Sequence, residues 1–295
     1  MKLRYTLPAL AASAALALTG CTNSETPETS GPETPTADIQ PDAAAVALLP
    51  DALKDGGVLQ VATDAETPPN EYKDDSGEVV GWNVDLTNAI AAKLGLTPEW
   101  EVMSFDGIIP RVQEGVVHIG ASTFSDTAER QKSVDFVNYY ASGTAWGAPS
   151  DSDFDSENVC GKTVAVQGGT IQQTELLPAF SDDCTAAGNE PVTILQFETN
   201  GEAVNAAVSG KADAMSAESL VILDAVKNLP GQFEVVGETY NTTLYGYAIE
   251  KDSDTTKAVQ AALQSLMDDG TYTEILSSIG IESGALDSAS INAGA

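Results

Sequence analysis

The sequence predicts an α/β protein built on mostly parallel sheets, and three observations predict it. Apolar runs of strand character alternate with segments of helical period, the alternation occurs in two separate blocks, and hydroxyl, glycine and carboxylate residues collect just after the strands. At 295 residues the chain is long enough for one large or two medium domains with well-buried cores. Ligands of open sheets in this class bind outside the carboxyl ends of strands, so the residues that follow strands are the functional candidates.

In chain order, the first twenty-one residues read as an export signal. Lys2 and Arg4 precede an apolar run from Leu7 to Leu18 that is too short to span a bilayer comfortably. Leu18-Thr19-Gly20-Cys21 then resembles a bacterial lipobox, which implies that Cys21 becomes the lipidated first residue and anchors the chain to the membrane. Residues 22–42 are rich in Thr, Pro, Glu and Ser, bury too little apolar surface to fold, and are expected to form a disordered tether.

Folded structure is expected from Ala43, where a weakly amphipathic helix runs to Leu53 and Gly56-Gly57 stops it. Val58 to Ala62 reads as a buried strand, Asn83 to Leu94 as a helix with Leu86, Ile90 and Leu94 on one face, and Gly95 as its cap. Trp100 to Met103 is a strand, Gly107 to Gln113 a short helix, and Val116 to Ala121 a strand. The second block alternates strands Thr163 to Val166, Val192 to Leu195 and Ala212 to Met215 with helices from Thr170 to about Leu177, Glu202 to Ser209 and Glu218 to Leu229. A strand from Tyr245 to Ile249 and helices Thr255 to Met267 and Tyr272 to Ile279 close the pattern.

One stretch organises the functional reading. Ile119 to Phe136 ends a strand in Ser122, Thr123 and Ser125, and Asp126 or Thr127 can cap a first helical turn that carries Arg130. Free backbone N–H groups, the positive end of a helix and a planar guanidinium there suit one small carboxylate. Three other post-strand places join it: Thr63 to Pro69 with Asp64 and Thr67, Gln167-Gly168-Gly169-Thr170, and Ser216-Ala217-Glu218. Taken singly, each is also compatible with an ordinary turn or solvated cap.

Together, V-A-T-D-A-E-T-P-P-N-E-Y, V-V-G-W-N-V-D-L, F-D-G-I-I-P-R-V-Q-E-G, S-T-F-S-D-T-A-E-R-Q-K-S-V-D-F, G-K-T-V-A-V-Q-G-G-T, G-K-A-D-A-M-S-A-E-S and D-D-G-T-Y stand in an order that resembles the family 3 extracellular solute-binding proteins, receptors of polar amino acid ABC importers. The resemblance covers about Gly57 to Ile281. It implies a two-lobed, periplasmic-binding-protein-like (type II) fold with two crossover hinge strands, near Ala141 to Trp146 and Thr239 to Leu244. Residues 43–142 and 244–283 would form lobe one, 143–243 lobe two, and 284–295 a C-terminal tail. Hinge closure would trap the ligand between the lobes.

Carried over residue by residue, the resemblance implies that Arg130 grips the ligand α-carboxylate with help from Thr170 and the backbone at Gly169. Glu218 would receive the α-ammonium, with Thr123 and Ser125 supplying further hydrogen bonds and Ser122 beside them in the site, and Asp64 would meet the ligand side chain above Phe105. A zwitterion leaving water needs both charges paired, which agrees with this division. The sequence departs from many relatives at Thr67 and Asn70, where aromatic residues are common, so a stacking surface is either reduced or supplied elsewhere, by Trp82, Trp146 or Tyr72 for example. Asp64 with Glu66 nearby favours a ligand side chain with a donor or a positive charge, so arginine, lysine, glutamine or cystine ahead of leucine or aspartate.

Charge and cysteine content narrow the partners. With 44 acidic against 13 basic residues, clustered phosphate contacts are excluded and no nucleic-acid partner is expected. Loss of Lys2 and Arg4 with the signal takes the formal charge from −31 to −33. With Cys21 assigned to the anchor, Cys160 and Cys184 are an even pair in an exported chain and read as a disulfide. The single histidine, His118, is expected mid-strand as a packed or edge residue, and neither a metal site nor a cofactor is expected. The partners expected are an amino acid ligand, an ABC permease and, through the anchor, the outer face of the cytoplasmic membrane, with the chain acting as a monomer. The alternatives are a cyclohexadienyl dehydratase-like enzyme on the same fold, which would turn over prephenate or arogenate, and an amino acid receptor for a separate sensor.

Overall fold

The computed structural model describes residues 39–294; Cys21, the signal and most of the expected tether lie outside the described residues. The chain runs α1 (Ala43–Leu48), α2 (Asp51–Gly56), β1 (Val58–Thr63), β2 (Glu66–Thr67), β3 (Glu71–Lys73), β4 (Val79–Val80), α3 (Trp82–Lys93), β5 (Thr97–Val102), α4 (Phe105–Gln113) and β6 (Ile119–Ser125). It continues through β7 (Val134–Pro149), β8 (Thr163–Gln167), α5 (Leu177–Ala186), β9 (Thr193–Phe197), α6 (Asn200–Val208), β10 (Ala214–Glu218) and α7 (Ser219–Asn228). The last elements are β11 (Phe233–Glu250), α8 (Asp254–Asp269), α9 (Thr271–Ser277) and β12 (Ala285–Ile291).

The main sheet has the order β5-β1-β6-β11-β7-β10-β8-β9, with β12 added against β7. β5, β1 and β6 are parallel at one flank, and β10, β8 and β9 are parallel at the other. The long antiparallel strands β7 and β11 join the flanks. One end of β11 pairs with β6 and the far part of β7 pairs with β10, so both strands run through both lobes. Their mutual register shifts between Val236 and Tyr240 and again between Tyr240 and Thr243.

Each lobe buries apolar side chains on both faces of its part of the sheet. In lobe one, α3, α8 and α9 bring Leu86, Ile90, Leu263, Leu266 and Ile275 onto Leu59, Val61, Tyr139 and Tyr247, while α4 packs Ile108 and Val112 on the other face against Ala62, Phe124 and Phe136. In lobe two, α6 and α7 cover Ala165, Met215 and Phe233, and α5 lies over Val164, Val166, Trp146 and Ala214. The Cys160–Cys184 disulfide is formed and ties the approach to β8 to α5.

Several expected elements differ in detail. The helix expected from Ala43 to Leu53 is two short helices, because Pro50 interrupts it and becomes the residue before α2. β6 starts at Ile119 rather than Val116, and His118 sits just ahead of it, accepting a hydrogen bond at Nδ1 from the Gln60 N–H at 2.9 Å. The helix expected at Thr170 begins as a π-helical turn, Gln172–Leu176, before α5. Period and composition do not mark β7, of which the resemblance implies only the hinge portion near Ala141 to Trp146, because fourteen of its sixteen residues are buried, which removes the polar alternation that marks a half-exposed strand. The segment after Ser283, expected as a tail, forms β12 and pairs with Tyr140, Asn138 and Val137 of β7. Among the described residues, no helix is long and apolar enough to cross a membrane.

Candidate functional site

Parallel strands within each lobe turn their carboxyl ends toward the same cleft. Asp64 follows β1, Ser122 to Ser125 end β6, Gly169 and Thr170 follow β8, and Glu218 ends β10. A small cavity between these ends, of about 40 Å³, is lined by Thr67, Phe105, Ser122, Thr123, Ser125, Arg130, Thr170 and Glu218 of the expected set. Asp64 and Gly169 stand immediately behind them, through bonds to Ser122 and Arg130.

The turn carrying Arg130 is a 3₁₀ turn, Arg130–Lys132, and Thr127 caps it by accepting from the Arg130 N–H at 3.3 Å. Arg130 donates through Nη1 to the Ser125 carbonyl at 2.9 Å and through Nη2 to the Gly169 carbonyl at 2.9 Å. Its guanidinium carbon lies 5.8 Å from the Phe105 ring centre and 5.4 Å from that of Phe124, and the two rings are stacked. Phe105, expected as the wall beneath the ligand side chain, is therefore also part of the bed of Arg130. Desolvation there pulls the Arg130 pKa down to about 10, which leaves it a full cation at neutral pH.

Three buried carboxylates surround the cleft. Asp64 accepts from Ser122 Oγ at 2.9 Å, Thr67 Oγ1 at 3.0 Å and Gln167 Nε2 at 3.0 Å. Glu218 accepts from Ser142 Oγ at 2.8 Å and Asn70 Nδ2 at 3.0 Å. Glu71 accepts from Asn83 Nδ2 at 2.7 Å and from Thr123 Oγ1 at 3.0 Å. Burial raises the pKa of all three, and the charge on Asp64 pushes Glu71 higher still, well above the ordinary glutamate value. Thr123 holds its place at φ 46°, a left-handed conformation that costs a β-branched residue about 1–3 kcal/mol, and its bond to Glu71 helps to keep it there.

Bonds cross the cleft at several points. Gln167 of lobe two donates to Asp64 of lobe one, Asn200 to Thr67 at 3.4 Å, Asn70 to Glu218, and Arg130 to Gly169. Gly81 makes the Asn70 position attainable, since a Cβ there would overlap the Asn70 carbonyl.

Glu71, Asn70, Gln167, Asn200 and Tyr245 complete this arrangement and were not in the expected binding set. Asn70 and Gln167 were visible as residues of the post-strand stretches, whereas Glu71 is buried and bonded to Asn83 on α3 and Thr123 on β6, neither of which is near it in sequence. The aromatic surfaces sought at Trp82 and Trp146 are in the cores of the two lobes, where Trp82 Nε1 donates to Asn70 Oδ1 at 2.8 Å. Glu66 is exposed outside the cavity, so the second acidic group near Asp64 is Glu71 instead.

A hinged pair of α/β lobes with paired charges at the strand ends defines a solute-binding protein. Residues 59–279 match the bacterial extracellular solute-binding proteins, family 3, and the chain belongs to that family. The arginine-binding protein ArgT of Corynebacterium glutamicum is 41% identical over 248 residues, 83% of this chain and 82% of that protein. A solved structure of an ancestral arginine-binding protein bound to arginine is similar at TM-score 0.69 and 35% identity, covering 76% of this chain and 99% of the other. An ancestral arginine-binding protein bound to glutamine matches with TM-score 0.69 and 35% identity, covering 77% and 99% of the two chains.

Proposed function

We propose that this chain is the receptor of an ABC importer and captures a basic amino acid, arginine before lysine, between its lobes. The observation that carries the reading is the excess of carboxylates around the cavity's one cationic lining residue, Arg130: Glu218 lines the cavity, Asp64 and Glu71 are buried behind it through bonds to Ser122 and Thr123, and Asp126 is buried beside Arg130. With all five groups ionised the balance is −4 + 1 = −3; a neutral zwitterion leaves it unchanged, and a ligand with a cationic side chain reduces it. The α-carboxylate goes to Arg130, the α-ammonium to Glu218, and the side-chain cation toward Asp64 and Glu71. The likeness to proteins named for arginine supports the same choice.

The cavity has room for no more than a few water molecules, so an amino acid enters by exchanging the cross-cleft bonds for its own. The segments near Ala141 to Trp146 of β7 and Thr239 to Leu244 of β11, where register is interrupted, would act as the hinge dividing 43–142 and 244–283 from 143–243. We read the site as one that binds without chemistry, and Cys21 as the lipid anchor that holds the monomeric receptor outside the cytoplasmic membrane; the tether expected to reach residue 42 ends sooner, because Ile39 packs on the core and Asp42 caps α1 and accepts from Ser265. A thermal-shift screen of the twenty amino acids tests the ligand, because one that binds only the folded chain must raise its melting temperature. Arginine is expected to give the largest shift, lysine and glutamine smaller ones, and aspartate none; a largest shift with an acidic amino acid refutes the reading. Turnover of prephenate or arogenate by the purified protein would refute its non-catalytic part.

A further inference from the structure

The C-terminal segment lies beyond the part of the chain that matches the family, yet it reaches the residues that hold Arg130. After β12, the Asn292 N–H donates to the Phe136 carbonyl at 3.0 Å, its side-chain Oδ1 accepts from the Phe136 N–H at 2.7 Å, and its Nδ2 donates to Asp135 Oδ1 at 2.8 Å. The Ala293 N–H donates to Asn138 Oδ1 at 3.0 Å, and the Gly294 N–H donates to Asp126 Oδ2 at 2.9 Å. Gly294 is packed so closely that an added Cβ would overlap the Asp126 carbonyl oxygen, which is backbone and cannot step aside.

Asp126 is fully buried and is the junction between this segment and the anion-binding turn. Its carboxylate also accepts from Asn138 Nδ2 at 2.9 Å and Gln131 Nε2 at 2.7 Å, so three donors from three parts of the chain fix its orientation. The peptide between Ser125 and Asp126 is fixed in turn. Its N–H donates to the Leu244 carbonyl at 2.8 Å, and its C=O is the acceptor for Arg130 Nη1. Rotation of Asp126 therefore moves the oxygen that aims the guanidinium.

We propose that Asp126 is a positioning residue for Arg130 and that the C-terminal segment, through Gly294 and Asn292, holds it in that role and so sets the cleft's affinity for a ligand carboxylate. The inference rests on the reading of Arg130 as the carboxylate clamp. It extends the binding apparatus to a segment that touches no ligand, and the coupling runs through an identified series of bonds.

The test uses the full chain with Gly294→Ala and Asp126→Asn, the first disturbing only the end of the segment if the second fails to fold. Amide hydrogen exchange without ligand is expected to rise across residues 125–133 in both variants and to stay native in β8. Calorimetric titration with L-arginine is expected to show a weakening of about tenfold in Gly294→Ala, and that weakening is expected to vanish in an Arg130→Ala background, as a double-mutant cycle requires of coupled residues. Unchanged exchange across 125–133, or an undiminished effect of Gly294→Ala when Arg130 is absent, overturns the proposal. Failure of the native chain to bind arginine would count against the ligand reading alone, because the exchange measurement needs no ligand and decides the positioning role by itself.

Discussion

The Arg130 guanidinium, on the turn after β6, donates to the carbonyl oxygen of Gly169, beyond β8, at 2.9 Å. One side chain thus spans the two lobes at the place proposed for the ligand carboxylate. Gly169 adopts φ +78°, and its Cα packs against Asp106 so tightly that any side chain would press on that residue. In the proposed function, closure and carboxylate recognition would be carried by the same few atoms.

Replacement of Arg130 by Ala removes two charge-assisted bonds from a desolvated carboxylate, a loss of about 3–5 kcal/mol. Affinity for arginine should fall at least about a hundredfold. Arg130→Lys should recover part of it, since an ammonium cannot reproduce the planar fork or its seat against Phe105 and Phe124. Calorimetric titration of both variants checks this, and near-native affinity in Arg130→Ala would end the assignment.

Glu71 should govern discrimination by ligand charge. Glu71→Gln keeps the shape of the side chain while removing a buried carboxylate that can ionise against a ligand cation, so above the folded-state pKa of Glu71 arginine should bind at least about tenfold more weakly while glutamine is nearly unaffected. Competition titrations with the two amino acids measure the ratio, and an equal loss for both would show that Glu71 acts only in packing.

The raised pKa of Glu71 gives a pH dependence of defined sign. Between the ordinary value of 4.5 and its raised folded-state value, Glu71 holds a proton that the unfolded chain has released. The contribution of this group to ligand-free stability is complete below 4.5 and is lost as pH rises through the folded-state pKa. A cationic side chain requires the ionised form, so arginine affinity should rise with pH across the same window, with protons released on binding. Titrations in buffers of different ionisation heat would reveal that release, and it should disappear in Glu71→Gln.

The Cys160–Cys184 bridge closes a loop with a sequence separation of 24 residues. In the chain-entropy account this stabilises the fold by about 3 kcal/mol. Thermal unfolding of a Cys160→Ser, Cys184→Ser variant should show a lower transition than the oxidised native chain, and coincident transitions would contradict the estimate.

Anchoring is tested in cells. A Cys21→Ala variant should be released into the medium while the native chain sediments with membranes. Equal sedimentation of the two would remove the lipid anchor from the proposed function.

The sequence by itself determined the alternation of strands and helices, the family, and the residues whose role is local. Ser122, Thr123, Ser125 and Arg130 lie within nine residues, and Asp64, Thr170 and Glu218 follow strands that period and composition disclose. Such features are legible because a strand end, a cap or a turn is specified by neighbouring residues. The tertiary structure alone decided that Glu71 is buried with Asp64 and Glu218, because Asn83 and Thr123, which enclose it, arrive from other elements. It alone decided that β7 is one strand from Val134 to Pro149, well beyond the hinge portion that the resemblance implied, since burial on both faces erases the alternation by which a strand is read. It decided too that the C-terminal segment docks on Asp126. That contact joins residues 168 positions apart, and its specificity lies in the close approach of Gly294 rather than in any local pattern.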